Sequence, residues 1–134
     1  MPLSDTLPPS LPGLIELSVL ERLANGKPEK MAKFALRFLD STTQGLAEMR
    51  AAVENADCEA LAGLGHKFKS PARSIGAAGF ADICQSLERV ANDRNLESAR
   101  HLVSTIDQRF DELRGEIELR VPAMAKKEET PVAP

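Results

Sequence analysis

Hydrophobic residues recur at intervals of three and four along most of the chain, and no segment of any length alternates apolar and polar residues. The first spacing is typical of an α-helix with one buried face, whereas alternation would indicate a β-strand. The pattern therefore predicts an all-α protein.

Five helices are predicted from this periodicity, with Asp57 and Asn95 as N-terminal caps and Gly76 at the end of the third helix. Thr42, Thr43 and Gly45 weaken the second helix and leave a break there open. Short links between long amphipathic helices favour an antiparallel up-down four-helix bundle, to which the first helix adds a short N-terminal element. The approximate ranges are 14–25, 28–55, 58–75, 77–92 and 96–117.

The two ends of the chain differ from its middle. Residues 1–13 contain four prolines, and residues 121–134 contain three prolines around a Lys-Lys-Glu-Glu run. Such segments bury too little apolar surface to offset the entropy of ordering them. We therefore expect flexible tails at 1–13 and 121–134 and one helical domain over 14–120.

Composition narrows the class of function. The formal net charge is −3, and the chain has no Trp, no Tyr and five Phe, which argues against nucleic-acid binding. No apolar stretch approaches the roughly 20 residues of a membrane span, so no membrane contact is expected.

Cys58 and Cys84 lack metal-ligand spacing, and Cys84 falls in an apolar series, which predicts a buried thiol. Two isolated thiols and the lack of a signal-peptide pattern suggest the cytoplasm.

The most informative side chain is His66, on the polar side of the third helix. Its neighbours one turn away, Ala62 and Ser70, are small, so a large partner could reach the imidazole. A neutral imidazole is a nucleophile near neutral pH, and nearby cations would stabilise a phosphoryl group on it. On the residues alone, an ordinary solvated histidine remains an alternative, and His101 lacks comparable surroundings. The nearby cations are Lys67, Lys69 and Arg73.

Two segments, one beginning at His66 and one in the next predicted helix, carry a resemblance to a known family. Residues 66–76 are His-Lys-Phe-Lys-Ser-Pro-Ala-Arg-Ser-Ile-Gly, and residues 80–88 are Phe-Ala-Asp-Ile-Cys-Gln-Ser-Leu-Glu. Together with the Phe- and Leu-rich helix before them, they resemble histidine-containing phosphotransfer (HPt) domains over about residues 14–120. The resemblance implies a phosphorelay intermediate, a phosphocarrier in two-component signalling. The sequence has no Gly-rich loop for ATP phosphates, no clustered carboxylates and no Cys/His ligand spacing, so we expect no cofactor, no bound metal and no ATP-dependent kinase activity of its own.

The resemblance also assigns residues. His66 matches the phosphoacceptor and Lys69 the lysine that stabilises the phosphoryl group. Ser70 stands where the family most often has Gly, and Glu88 where members often have a polar residue facing the histidine. Pro71 departs from the family pattern, and its missing N–H predicts a local kink. The residues expected to support the site or dock a partner are Lys67, Ser70, Arg73 and Glu88.

The implied partners are the receiver domain of a hybrid histidine kinase, as donor, and that of a response regulator, as acceptor. A monomer is the simpler expectation. Two alternatives remain open. One is a helical-bundle adaptor that binds a receiver or kinase domain without exchanging phosphate. The other is a four-helix bundle with a ligand in its core, which the almost uniformly apolar core positions disfavour.

Overall fold

The computed structural model describes residues 14–121 and Met124, and these residues form helices without any strand. The all-α prediction is confirmed. The helix bounds agree with the hydrophobic pattern to within a few residues. The helices are α1 (Leu17–Leu23), α2 (Pro28–Glu54), α3 (Cys58–Ser74), α4 (Ala78–Asn92) and α5 (Leu96–Arg120).

The four long helices form an antiparallel up-down bundle. Between α2 and α5, Arg50 pairs with Asp107, and Thr43, seven residues earlier, accepts a hydrogen bond from Arg114, seven residues later. This opposite register shows that the two helices run in opposite directions. Helix α4 packs against α3 on one side and α5 on the other, so the four helices close a ring around one core. The predicted architecture is confirmed.

The core is centred on three phenylalanines from three helices. The Phe80 ring lies 6.1 Å from the Phe38 ring in an edge-to-face arrangement, and 6.1 Å from the Phe110 ring at a tilt. Edge-to-face and tilted contacts at this distance suit the charge distribution of aromatic rings. Phe80 of α4 contacts both other rings, so α4 cannot rotate about its own axis without breaking these contacts. Its rotation sets which of its residues face α3.

Helix α2 runs without a break through the segment that its sequence weakens. A Cβ atom at Gly45 would overlap the ring of Phe68 from α3, so the absent side chain is what lets that ring pack there. The Thr43 hydroxyl donates a hydrogen bond of 2.8 Å to the Leu39 carbonyl. Packing against α3 therefore outweighs the low helix propensity of this segment.

Helix α1 is shorter than its predicted range. At its start, the Glu16 N–H donates to the Gly76 carbonyl at 2.8 Å, so the chain is tied to the end of α3 before it becomes helical. At its end, Asn25 and Gly26 both have positive φ, which stops the helix. The helix therefore occupies only Leu17–Leu23.

Three residues join each successive pair of long helices, and the middle one is left-handed each time. The φ values are 52° at Ala56, 93° at Gly76 and 61° at Arg94. The next backbone N–H then bonds a carbonyl five residues back, as from Asp57 to Ala52 at 2.8 Å. This is the Schellman ending of a helix. The predicted caps are confirmed, since the side chains of Asp57 and Asn95 accept N–H bonds from the next helix.

The left-handed Ala56 gives a stability prediction. Ala56→Gly should raise the free energy of unfolding by about 0.5–1 kcal/mol, because glycine adopts positive φ without a Cβ clash. The matched control is Ala51→Gly on the exposed face of α2, which should lower it by a similar amount. Urea denaturation of both variants measures the difference. A less stable Ala56→Gly protein would contradict the prediction.

Most of the two predicted tails lies outside the described residues. Two residues of the predicted C-terminal tail are described, and both are buried: Val121 is fully inaccessible and Met124 is 8% exposed. Both belong to the same apolar cluster as the bundle core. Ordered packing therefore extends past the end of α5 at Arg120.

Candidate functional site

His66 projects into solvent from the middle of α3. The start of this helix is set by Asp57, whose side chain accepts a hydrogen bond of 3.0 Å from the Ala60 N–H. In the resulting register, Leu64 and Phe68 are buried at 8% and 2% exposure. The His66 side chain between them is 68% exposed. The accessible imidazole expected from the sequence agrees with this placement.

Glu88 of α4 reaches across to the imidazole. Its Oε2 lies 3.1 Å from His66 Nδ1, and its Oε1 accepts a hydrogen bond of 2.6 Å from Lys69 Nζ. One carboxylate therefore bridges the two residues that sequence resemblance assigns to phosphoryl chemistry. The Glu88 side chain is only 22% exposed, so this bridge is held against the bundle surface.

Gly65 allows α4 to come close enough for this contact. A Cβ atom at Gly65 would lie 2.6 Å from the Cys84 carbonyl oxygen and 2.8 Å from the Glu88 backbone nitrogen. Both are backbone atoms, which cannot swing aside as a flexible side chain could. The missing side chain of Gly65 therefore determines the separation of the two helices at the point where Glu88 meets His66.

The bridge sets the protonation pattern of the site. The hydrogen bond from Lys69 holds the pKa of the Glu88 carboxyl below its ordinary value, burial opposes this, and His66 lowers it further. An ionised carboxylate can only accept, so the network assigns a proton to His66 Nδ1, which donates to Oε2. In the neutral imidazole the free lone pair is then on Nε2.

The other two predicted cations, Arg73 and Lys67, contact groups other than the imidazole. Arg73 donates to Asp82 at 3.1 Å and to Gln85 at 3.0 Å, both on α4. Lys67 lies over the Phe68 ring, with its Nζ 5.4 Å from the ring centroid. The sequence placed positive charge around His66, but the charged group in contact with the ring is a carboxylate. The reason is that α4 brings its acidic residues alongside α3.

Access to the imidazole is open on the α3 surface. A Cβ atom at Gly63 would meet nothing within 4 Å, and Ser70, one turn beyond His66, is exposed. Pro71 lies about 140° around the helix from His66 and lines a groove shared with α1 and α2. Helix α3 continues through Pro71 to Ser74. The proline therefore does not cover the histidine.

Comparison with known proteins identifies the family. A family model described as the Hpt domain matches residues 33–116, more than half of the chain. The chain belongs to the Hpt family. Hpt domains are phosphocarriers of two-component signalling, and the matched range holds α3, α4 and the whole His66–Glu88–Lys69 cluster.

A solved Hpt structure shares the fold. It is the crystal structure of histidine-containing phosphotransfer protein B (HptB) from Pseudomonas aeruginosa PAO1. The TM-score is 0.76 over 82% of this chain and 95% of that chain, with 24% identical residues. At this identity the likeness establishes the fold alone. A comparison with curated protein sequences finds no match.

The two cysteines and His101 of this Hpt chain lie outside the His66–Glu88–Lys69 cluster. Both cysteines are free and buried, and burial raises the pKa of the Cys84 thiol to about 12, so it stays protonated. His101 is exposed on α5, where its carbonyl accepts a hydrogen bond from Thr105.

Among the described residues, no three His, Cys, Asp or Glu side chains form a metal-binding group. None of the helices in that part of the chain is long and apolar enough to cross a membrane.

Sequence reasoning missed two parts of this Hpt site. It did not identify Gln85 and Asp82 as partners of Arg73, and it did not find that Glu88 binds Lys69. A signal was available for both, because the two helices are antiparallel with a three-residue link. In that geometry residues 73 and 82–85, or 66–69 and 88, come opposite one another.

Proposed function

We propose that this protein is a phosphorelay intermediate in which His66 accepts a phosphoryl group from a receiver-domain aspartate and passes it to another. The observation that carries the proposal is the hydrogen bond between His66 Nδ1 and Glu88 on a side chain that is 68% exposed. It orients the ring, holds the proton on Nδ1 and leaves Nε2 as the nucleophile. Membership of the Hpt family supports it independently.

The step balances without any further reactant. Nε2 attacks the phosphorus of the aspartyl phosphate, so the P–Nε2 bond forms as the P–O bond to the aspartate breaks. The aspartate leaves as a carboxylate, and the Nδ1 proton stays on the ring beside Glu88. The transition state is stabilised mainly by positioning and electrostatics, which the receiver domain supplies around its own aspartate. The reverse of the same step passes the group to a response regulator.

Lys69 is the cation for the phosphoryl group. It lies one turn from His66 on the same helix, and its ammonium is 2.6 Å from Glu88 Oε1, next to the imidazole. A lysine in this place can donate a charge-assisted hydrogen bond to a phosphoryl oxygen. Lys67, Ser70 and Arg73 lie on the same exposed helix surface and would contact the docked receiver. The buried, unpaired cysteines suit work in the cytoplasm.

A transfer assay tests the proposal. A receiver domain from the same source, carrying a radioactive aspartyl phosphate, is mixed with the protein. The label should move to this chain, should be lost in acid and kept in base as a P–N bond requires, and should map to His66 by mass spectrometry. A label on another residue would contradict the proposal. Receiver binding without any transfer of label would support the adaptor alternative.

A further inference from the structure

The two flanks of α3 beside His66 differ in what they contact. At 3.6 residues per turn, Lys69 lies about 60° around the helix from His66 in one direction, and Ser70 lies about 40° in the other. Gly65 and Arg73 are on the Lys69 flank, where Gly65 abuts the α4 backbone and Arg73 donates hydrogen bonds to α4 side chains. Helix α4 therefore covers the Lys69 flank, whereas Ser70 on the opposite flank is exposed.

The imidazole is oriented across this division. Its Nδ1 lies 3.1 Å from Oε2 of Glu88 on α4, so Nδ1 faces the Lys69 flank. The two nitrogens are on opposite edges of the ring, and Nε2 therefore faces away from α4, toward the flank that carries Ser70. A phosphoryl group bonded to Nε2 would extend over this solvent-exposed flank.

Building on the proposed carrier function of His66, we propose that Ser70 is a second ligand of the phosphoryl group and donates a hydrogen bond from its Oγ to a phosphoryl oxygen on Nε2. The proton stays on Oγ, so the step needs no further reactant. The Ser70 hydroxyl binds the phosphoryl group from the solvent-exposed flank, and the Lys69 ammonium reaches it from the α4 flank. Both bonds go to an anionic oxygen, and both stabilise the phosphohistidine.

Ser70 is correctly placed for this contact. Residues four apart on a helix have Cβ atoms about 5–6 Å from one another, and helical side chains tilt toward the N-terminus, so the Ser70 side chain leans toward His66. The N-terminal part of the same flank is open, because a Cβ atom at Gly63 would meet nothing within 4 Å. A phosphoryl group therefore has space above Gly63 and a hydroxyl donor on its other side.

The Ser70 hydroxyl is available for the bond. Hydroxyls inside helices often donate to the carbonyl four residues back, as those of Thr43 and Thr105 do at 2.8 Å and 3.2 Å. Within the part of the chain that the structure describes, the Ser70 hydroxyl makes no such bond. It can therefore turn toward a phosphoryl oxygen without giving up a hydrogen bond to another described residue.

The lysines on either side of His66 have other contacts. The Lys69 ammonium donates to Glu88 Oε1 at 2.6 Å, on the α4 flank. The Lys67 ammonium lies over the Phe68 ring, 5.4 Å from its centroid. Ser70 is thus the hydrogen-bond donor that lies one turn from His66 on the Nε2 flank.

Ser70→Ala is the main test, because it removes the hydroxyl and keeps the Cβ atom. Wild type and variant are each equilibrated with the same phosphorylated receiver, at concentrations where little complex forms. The ratio of phosphohistidine to phosphorylated receiver should fall about three- to tenfold in the variant, since a hydrogen bond to a charged group is lost at a solvent-exposed site. A contact between Ser70 and the docked receiver alone would change the rate of transfer and leave this ratio unchanged.

Two further variants complete the test. Ser70→Gly removes the Cβ atom as well, and glycine is the residue that the family most often has here. If the hydroxyl is a ligand, the ratio should fall in Ser70→Gly as it does in Ser70→Ala. If Ser70 instead obstructs the phosphoryl group, the ratio rises in Ser70→Gly and the inference is overturned. Ser104→Ala makes the control change at an exposed position on α5 and should leave the ratio within about twofold of wild type.

The outcomes separate this inference from the carrier function. Transfer of label to His66 in the wild-type protein tests the carrier function by itself. If wild type takes the label and Ser70→Ala leaves the ratio unchanged or raises it, the hydroxyl is not a phosphoryl ligand and the carrier function stands. If wild type takes no label from any receiver, both proposals fail.

Discussion

His66→Gln should reduce phosphoryl labelling by a phosphorylated receiver to background while the protein remains folded. The substitution removes the nucleophilic nitrogen, for which an amide is no substitute. The side chain is 68% exposed and contacts Glu88, which keeps its hydrogen bond from Lys69 when the imidazole is gone. The free energy of unfolding should therefore change by no more than about 0.5 kcal/mol. Labelling and urea denaturation measure the two quantities.

His101→Gln is the matched control. It is the same substitution at an exposed position on α5, outside the His66–Glu88–Lys69 cluster. It should accept label at the wild-type rate. Equal loss of label in both variants would point to a general effect of removing a histidine, and retained label in His66→Gln would place the phosphate on another residue.

Gly65→Ala should impair both stability and phosphotransfer. The added methyl group would lie 2.6 Å from the Cys84 carbonyl oxygen and 2.8 Å from the Glu88 nitrogen, so α3 and α4 must separate. Overpacking of this kind costs about 1–3 kcal/mol. The movement carries Glu88 away from Nδ1, and the initial rate of phosphoryl acceptance should fall about ten- to a hundredfold as the ring loses its orientation.

Gly63→Ala makes the same change two residues earlier on the same helix. A Cβ atom there meets nothing within 4 Å, so only the higher helix propensity of alanine acts. The free energy of unfolding should rise by about 0.5–1 kcal/mol. Opposite signs for the two variants in urea denaturation would support the helix-contact argument. If Gly65→Ala is as stable as Gly63→Ala, α4 does not rest on α3 at this point.

The helices were predictable because their signals are local. Asp57 and Asn95 cap their helices as expected, and the three-residue links match the breaks in the hydrophobic pattern. The shortened α1 was not predictable, since its start depends on the Glu16 N–H bonding the Gly76 carbonyl sixty residues away. The continuity of α2 at Gly45 likewise depends on Phe68 from another helix.

The candidate site likewise has one part that the sequence predicted and one part that it did not. The outward direction of His66 and its spacing from Lys69 follow from the 3.6-residue period of one helix, so the sequence by itself determined them. The charge around the imidazole did not follow, because Lys67, Lys69 and Arg73 indicated a positive surface. Only the tertiary structure decided that Glu88 binds both His66 and Lys69, through the close approach of α4 at Gly65. Charges act through space, and the distance between helices is set by the packing of the whole bundle.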